Sequence, residues 1–173
     1  RPVQPTISLK SSTEFCDGQS AKLSASNINA AGYLWSNGLT TQDVDIRIAG
    51  TFTVRTLGAN GCYSAPSVGV STLVNPLPTS PTIRATSDTV FCEGSKTRIA
   101  LTPANNNYVA FNWERGTALS GENASAIDVS TTALIKGYVV DAKGCYSKPS
   151  NAIWAVRKAK PVSPVIYRVG PYL

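Results

Sequence analysis

Hydrophobic and polar residues alternate in short runs along this chain. Ala21, Leu23 and Ala25 face one way and Lys22, Ser24 and Ser26 the other, the period-two pattern of a half-buried antiparallel strand. Thr6-Ile7-Ser8-Leu9-Lys10 alternates in the same way, Tyr33 and Trp35 share a face, and Val44-Asp45-Ile46-Arg47-Ile48 turns three branched side chains inward. Gly50-Thr51-Phe52-Thr53-Val54 follows, and Val68 and Val70 are expected to carry a last strand to Pro76. Asp17-Gly18, Asn37-Gly38 and Asn60-Gly61 punctuate these runs as turns. No stretch shows helical periodicity.

The same order then returns with different fillings. Thr97-Arg98-Ile99-Ala100-Leu101 stands for the Leu23 strand, Phe111-Asn112-Trp113 for the Trp35 strand, and Ile127-Asp128-Val129 for Val44-Asp45-Ile46. Phe15-Cys16-Asp17-Gly18 and Gly61-Cys62-Tyr63-Ser64-Ala65-Pro66 are answered by Phe91-Cys92-Glu93-Gly94 and Gly144-Cys145-Tyr146-Ser147-Lys148-Pro149. Pro2-Val3-Gln4-Pro5-Thr6-Ile7 is answered by Pro78-Thr79-Ser80-Pro81-Thr82-Ile83, and Pro161-Val162-Ser163-Pro164-Val165-Ile166 opens a third start. The duplication predicts one repeat over 1–77, a second over 78–160, and the beginning of a third repeat or an extension over 161–173. Leu134 to Val140 can be phased with Ile135 and Val139 inward or with Tyr138 and Val140 inward. Counting back from Cys145 puts Ile135 at the place of Phe52.

About seven short strands per repeat, frequent turns and one Trp in the third strand match an immunoglobulin-like sandwich. The expected fold is therefore all-β: two tandem Ig-like domains, each with one disulfide. The cysteines do not occupy the antibody positions flanking the Trp. Pairing Cys16 with Cys62 and Cys92 with Cys145 would close loops of about 50 residues and stabilise each domain by ~3 to 4 kcal/mol on the chain-entropy model. A standard strand order sets those ends on opposite edges of the sandwich, so free thiols and a crossed pairing between repeats stay open as alternatives.

Composition narrows the chemistry. The chain has no His and no Met, which excludes Ser-His and Cys-His nucleophile pairs and His-containing zinc sites within it. No Cys-x-x-Cys spacing suggests a metal, no glycine-rich phosphate loop appears, and no cofactor is expected. The acidic pairs Asp43 with Asp45 and Glu114 with Glu122 read as solvent-facing charges rather than glycosidase carboxylates. The formal net charge of +6 is concentrated in the second half, where Arg157, Lys158, Lys160 and Arg168 cluster. That cluster is a solvated linker or the mark of an anionic partner; aromatics are not interleaved with it as nucleic-acid binding requires. No run approaches the ~20 apolar residues of a membrane span. Aligned from the second cysteine, Trp154 falls on the outward face of its strand and is the candidate binding or interface aromatic, with Tyr167 beside it in the next segment.

The runs Tyr33-Leu34-Trp35-Ser36-Asn37-Gly38-Leu39-Thr40-Thr41, Ala49-Gly50-Thr51-Phe52-Thr53-Val54 and Asn60-Gly61-Cys62 resemble a family of Ig-like and PKD-like repeats in secreted, cell-surface proteins of Bacteroidetes. The second repeat departs from that pattern at Trp113-Glu114-Arg115-Gly116. The resemblance implies a multi-repeat adhesin, a gliding-type surface protein or a secreted enzyme exported by the type IX system. Asp88-Thr89-Val90 is similar to the O-glycosylation signal of such proteins, which makes Thr89 a candidate modification site. Paired cysteines point independently to an oxidising, extracellular setting. The expected role is a non-enzymatic structural or adhesive segment that meets neighbouring repeats, other copies of itself or a surface glycan. The alternative is an accessory carbohydrate-binding module of a secreted hydrolase.

Overall fold

A computed structural model of the chain describes residues 2–26, 30–103, 107–119, 122–165 and 170. It divides into two compact units, Arg1–Leu77 and Pro78–Leu173. Every described element is a strand or a turn.

In the first unit β1 (Ile7–Leu9), β3 (Ala21–Ala25) and β5 (Asp43–Ile46) form an antiparallel sheet in the order β1-β3-β5. Ile7 lies opposite Ala25, and Leu23 opposite Val44. On the other layer β2 (Glu14–Cys16) runs parallel to β8 (Val70–Asn75), which pairs antiparallel with β6 (Gly50–Phe52). After a break at Thr53 the chain continues as β7 (Val54–Leu57), paired with β4 (Gly32–Trp35).

The second unit repeats this plan. β9 (Thr82–Ala85), β11 (Thr97–Thr102) and β14 (Ala126–Val129) make one sheet. β10 (Val90–Cys92), β16 (Ile153–Lys158), β15 (Ala133–Asp141), β12 (Tyr108–Arg115) and β13 (Ala118–Leu119) make the other, in that order. A first strand in one sheet, a short following segment that crosses to run parallel with the last strand, and a Trp on the fourth strand, β4 or β12, define an immunoglobulin-like sandwich.

Each unit owns a core around its Trp. Trp35 packs with Phe15, Leu23, Ile46, Phe52 and Val54, and Trp113 with Phe91, Ile99, Val129, Ile135 and Val139. Burying an indole leaves a polar N–H to satisfy. Trp35 Nε1 donates to the Thr41 carbonyl at 2.8 Å and Trp113 Nε1 to the Ala124 carbonyl at 2.7 Å.

Ile135 and Val139 are fully buried, which settles the phase of that strand in favour of the count from Cys145. Gly137 sits between them because a Cβ there would lie 2.9 Å from Leu101 and 3.0 Å from Ile83. Val68, expected within the last strand of the first repeat, is instead 83% exposed, and β8 begins at Val70.

The predicted disulfides do not form. Cys62 and Cys92 carry free thiols, so neither predicted pair is made. Register explains the correction. Cys16 lies opposite Asn75, beyond the Gly50–Thr72 pair, at the end where the chain leaves the first unit. Cys62 lies past Leu57 at the other end, where its carbonyl accepts from Gly58 N at 3.0 Å. At ~3.3 Å per residue the intervening strand separates them by ~30 Å, against the ~7 Å between Cα atoms that a disulfide tolerates. In the second unit Cys92 lies opposite Lys158, beyond the Ala133–Ala155 pair, and Cys145 follows Asp141 at the far end of β15. Neither repeat can therefore hold a bridge of its own.

Candidate functional site: a sheet face and two cysteine ends

Alternation along β16 buries Ala155 and turns Trp154 outward, where it is 60% exposed. Its cross-strand partner on β15 is Leu134, and Val156 and Val90 are register partners further along the same sheet. Next to this apolar strip the outer face becomes polar. Glu114 on β12 lies opposite Lys136 and Asn112 opposite Tyr138. Lys136 Nζ donates to Glu114 Oε1 at 3.1 Å, and the Tyr138 hydroxyl donates to Glu114 Oε2.

Those two donors hold the Glu114 carboxyl below the usual carboxylate range, the Tyr138 hydrogen bond first and Lys136 second. Partial burial and the facing carboxylate push the Tyr138 phenol up to about 12. The face therefore presents a neutral phenol and an ion pair beside an exposed indole. Such a surface can stack against an apolar or sugar face and offer hydrogen bonds at its border.

The other predicted residues are more dispersed. Arg157, Lys158 and Lys160 are all exposed, but Arg157 already faces Glu93 at 3.6 Å and its amide donates to Thr132 Oγ1. Thr89 is half-buried just before β10, with its carbonyl accepting from Val156 N at 2.7 Å, while Asp88 is exposed. Tyr167 and Arg168 lie outside the described residues. Asp45 lies 3.9 Å from Lys22, and Glu122 is held by two bonds from Arg115 at 2.8 and 3.0 Å. Among the described residues no group of three or more His, Cys, Asp or Glu side chains could hold a metal, and no helix is long and apolar enough to cross a membrane.

Both cysteine ends are built the same way in the two repeats. At the entry end of each unit, where its chain begins, a glycine turn carries the cysteine. Gly61 and Gly144 have φ of +76° and +78°, and Leu57–Tyr63 and Val140–Tyr146 close the turns as matching bridges. The Thr56 hydroxyl donates to the Val3 carbonyl and Tyr108 to the Thr79 carbonyl, which ties each turn to the start of its own unit. At the exit end, Cys16 and Cys92 close the short strand that runs parallel to the last one. Asp17 N donates to the Asn75 carbonyl and Glu93 N to the Lys158 carbonyl, both at 2.8 Å.

The Ser residues that follow each entry-end cysteine have a task that sequence reading missed. Ser64 and Ser67 Oγ accept from the amides of Thr56 and Val54, and Ser147 and Ser150 Oγ from those of Val139 and Gly137. Pro66 and Pro149 interrupt this stretch, so hydroxyls supply acceptors that a regular last strand would supply through carbonyls. The spacing Ser-x-x-Ser across a Pro, repeated in both copies, was the available signal.

No family model and no curated protein matches the chain. Among solved structures the human OSCAR ligand-binding domain is similar, at 13% identity and a TM-score of 0.36 over 88% of this chain and 98% of that one. The fold assignment above rests on strand order and register.

Proposed function

We propose that the chain is a non-enzymatic structural or adhesive segment of a longer secreted or surface-anchored bacterial protein, one whose repeats meet neighbouring repeats and other copies of the same chain. The observation that carries this reading is the duplicated construction of the ends. Two repeats with separate Trp-centred cores present the same cysteine turn at the entry and the same cysteine strand at the exit. The carboxylates weighed as catalytic candidates support it too: Glu114 and Glu122 are committed to ion pairs, and Asp45 faces a lysine. A disulfide supports an oxidising, extracellular compartment. Export by a type IX system and membership of the Bacteroidetes repeats are part of the proposal through the sequence resemblance alone.

Light scattering of the chain over a range of concentrations, in reducing buffer, tests the self-association part. Mass that grows with concentration supports it, and a monodisperse monomer at the highest concentration overturns it. Labelling of intact cells of the source bacterium with a membrane-impermeant amine reagent tests the location; protection of the chain in intact cells overturns surface display.

A second reading, an accessory carbohydrate-binding module, is favoured by one observation, the exposed Trp154 beside the Glu114–Tyr138–Lys136 network. Retention on immobilised polysaccharides that is lost in Trp154→Ala supports it. No retention of either protein removes it.

A further inference from the structure

We propose that the open edge of β1 in the first unit is a binding site for a primary carboxamide, the side chain of an asparagine or glutamine carried by a protein partner. The second unit shows the mode of recognition. There Ile83 on β9 lies opposite Leu101, and Thr86 N donates to the Arg98 carbonyl, so Thr82, Arg84 and Thr86 spend their main-chain groups on β11. The N–H and C=O of Ile83 point the other way, toward the open edge. The Asn151 side chain meets both: Oδ1 accepts from Ile83 N at 2.9 Å and Nδ2 donates to the Ile83 carbonyl at 3.0 Å. One carboxamide does there what one residue of an adjoining antiparallel strand would do.

The first unit carries the same edge without the side chain. Ile7 matches Ile83 in the repeat, and it lies opposite Ala25 while Ser26 N donates to the Thr6 carbonyl and Lys10 N to the Lys22 carbonyl. Thr6, Ser8 and Lys10 therefore spend their main-chain groups on β3, and the N–H and C=O of Ile7 face outward. Counted from the second cysteine, the counterpart of Asn151 is Val68, whose side chain has no polar atom. Among the described residues no group bonds to Ile7 from that side. An open cavity of about 310 Å³ lies there instead, lined by Gln4, Pro5, Thr6, Ile7, Val68 and Val70.

The chemistry of the cavity selects the carboxamide. Ile7 offers one donor and one acceptor side by side, and a primary carboxamide returns one of each. A carboxylate would take the N–H and leave its second oxygen against the Ile7 carbonyl, while an ammonium would take the carbonyl and leave the N–H unmet. Pro5, Val68 and Val70 supply apolar contact for the methylene stem. The walls are held in place. Gln4 Nε2 donates to the Pro66 carbonyl at 2.6 Å, and a Cβ on Gly69 would lie 2.7 Å from the Thr51 methyl group, so that glycine packs flush against β6. A strand laid along the edge is a poorer occupant, because the next outward position, Pro5, has no N–H to give. The site belongs to the first unit alone and does not depend on the role proposed above for the chain.

The test is amide NMR of the whole chain titrated with three capped peptides: acetyl-Ala-Asn-Ala-methylamide, its Leu counterpart and its Asp counterpart. The asparagine peptide is expected to shift the Ile7 amide resonance saturably. The other two are expected to bind about tenfold more weakly or not at all, since each lacks one or both hydrogen bonds. Two variants carry the comparison. Val68→Asn supplies the chain's own carboxamide and should abolish the Ile7 response, whereas Asn151→Ala empties the counterpart site and should let the same peptide shift Ile83. A melting curve checks that each variant is folded, and Val68→Asn, at an exposed position, serves alone if Asn151→Ala is not. Equal shifts from the asparagine and leucine peptides would mean backbone pairing at the edge and overturn the proposal. So would no shift at Ile7 with any peptide, or a response undiminished in Val68→Asn.

Discussion

Replacing Ser64 by Ala tests whether the hydroxyls after each entry-end cysteine hold the sandwich closed. Ser64 is 1% exposed and Thr56 is fully buried. The Ser64 Oγ accepts from Thr56 N at 3.0 Å and donates to the Ala65 carbonyl at 2.7 Å, while Ser64 N donates to the Thr56 carbonyl at 2.9 Å. Alanine keeps the last of these bonds and removes the first two. The Thr56 amide is then buried without its acceptor, and an unsatisfied buried donor costs ~1 to 3 kcal/mol. Taking about 2 kcal/mol, the melting temperature of a domain of this size falls by roughly 8 to 16 °C.

The assay is differential scanning calorimetry of the intact chain, paired with amide exchange at Thr56. Ser64→Ala should shift the transition of the first unit, and Ser147→Ala, which strips the acceptor from the Val139 amide, that of the second. Exchange at Thr56 should accelerate in the first variant and stay unchanged in the second. A shift smaller than ~2 °C with unchanged exchange at Thr56 would refute the assignment of the hydroxyl as the acceptor.

Asn151 bridges the edge of β9, with Oδ1 accepting from Ile83 N at 2.9 Å and Nδ2 donating to the Ile83 carbonyl at 3.0 Å, so Asn151→Ala should destabilise the second unit by ~1 to 3 kcal/mol in urea titrations. At the matching place in the first unit stands Val68, which lines an open cavity of about 310 Å³ with Pro5, Thr6 and Ile7. Val68→Asn should raise the urea midpoint of the first unit by supplying the missing bridge. Glu114 has a lowered folded-state pKa, so its contribution is present above the unfolded carboxyl value and is lost as pH falls through the folded one. Tyr138→Phe should therefore flatten the acid limb of the second unit's stability. Tyr138 has a raised pKa, so its contribution is complete below its unfolded value of 10.0 and lost as pH rises through about 12; absorbance titration of phenolate should lose its highest-pH component in the same variant. Thiol titration of the folded chain should count two reactive groups and four after reduction.

Much of the sandwich was legible because period-two alternation is itself a statement about two faces. Leu23, Val44, Ile46, Ile99 and Val129 were placed inward by that pattern and are buried, whereas Ile48, placed inward with Val44 and Ile46, is exposed because β5 ends at Ile46. Equivalence between repeats resolved what alternation alone left open, as with Ile135. The short strands at Glu14–Cys16 and Val90–Cys92 were not legible. Three residues around one buried Phe hold no period, and their pairing is parallel to a strand far along the chain. Trp154 could be aimed outward by register, but what an exposed indole meets is not written in one strand. The hydroxyl acceptors were hidden because Ser-Ala-Pro-Ser reads as a turn until the unsatisfied amides opposite it are known.

The cysteines show why a spacing cannot choose a partner. Each repeat holds two of them about 50 residues apart, which the chain-entropy model ranks as favourable to close. That model charges only for the unfolded loop. The folded strand between them is stiff and carries its two ends ~30 Å apart, so geometry vetoes a bond that entropy permits. A bridge in the antibody positions would cross-link the core, where Trp35 and Trp113 are already packed and hydrogen-bonded. The cysteines stand at the ends of the strands, outside both Trp-centred clusters, so a bridge there would add nothing to those cores.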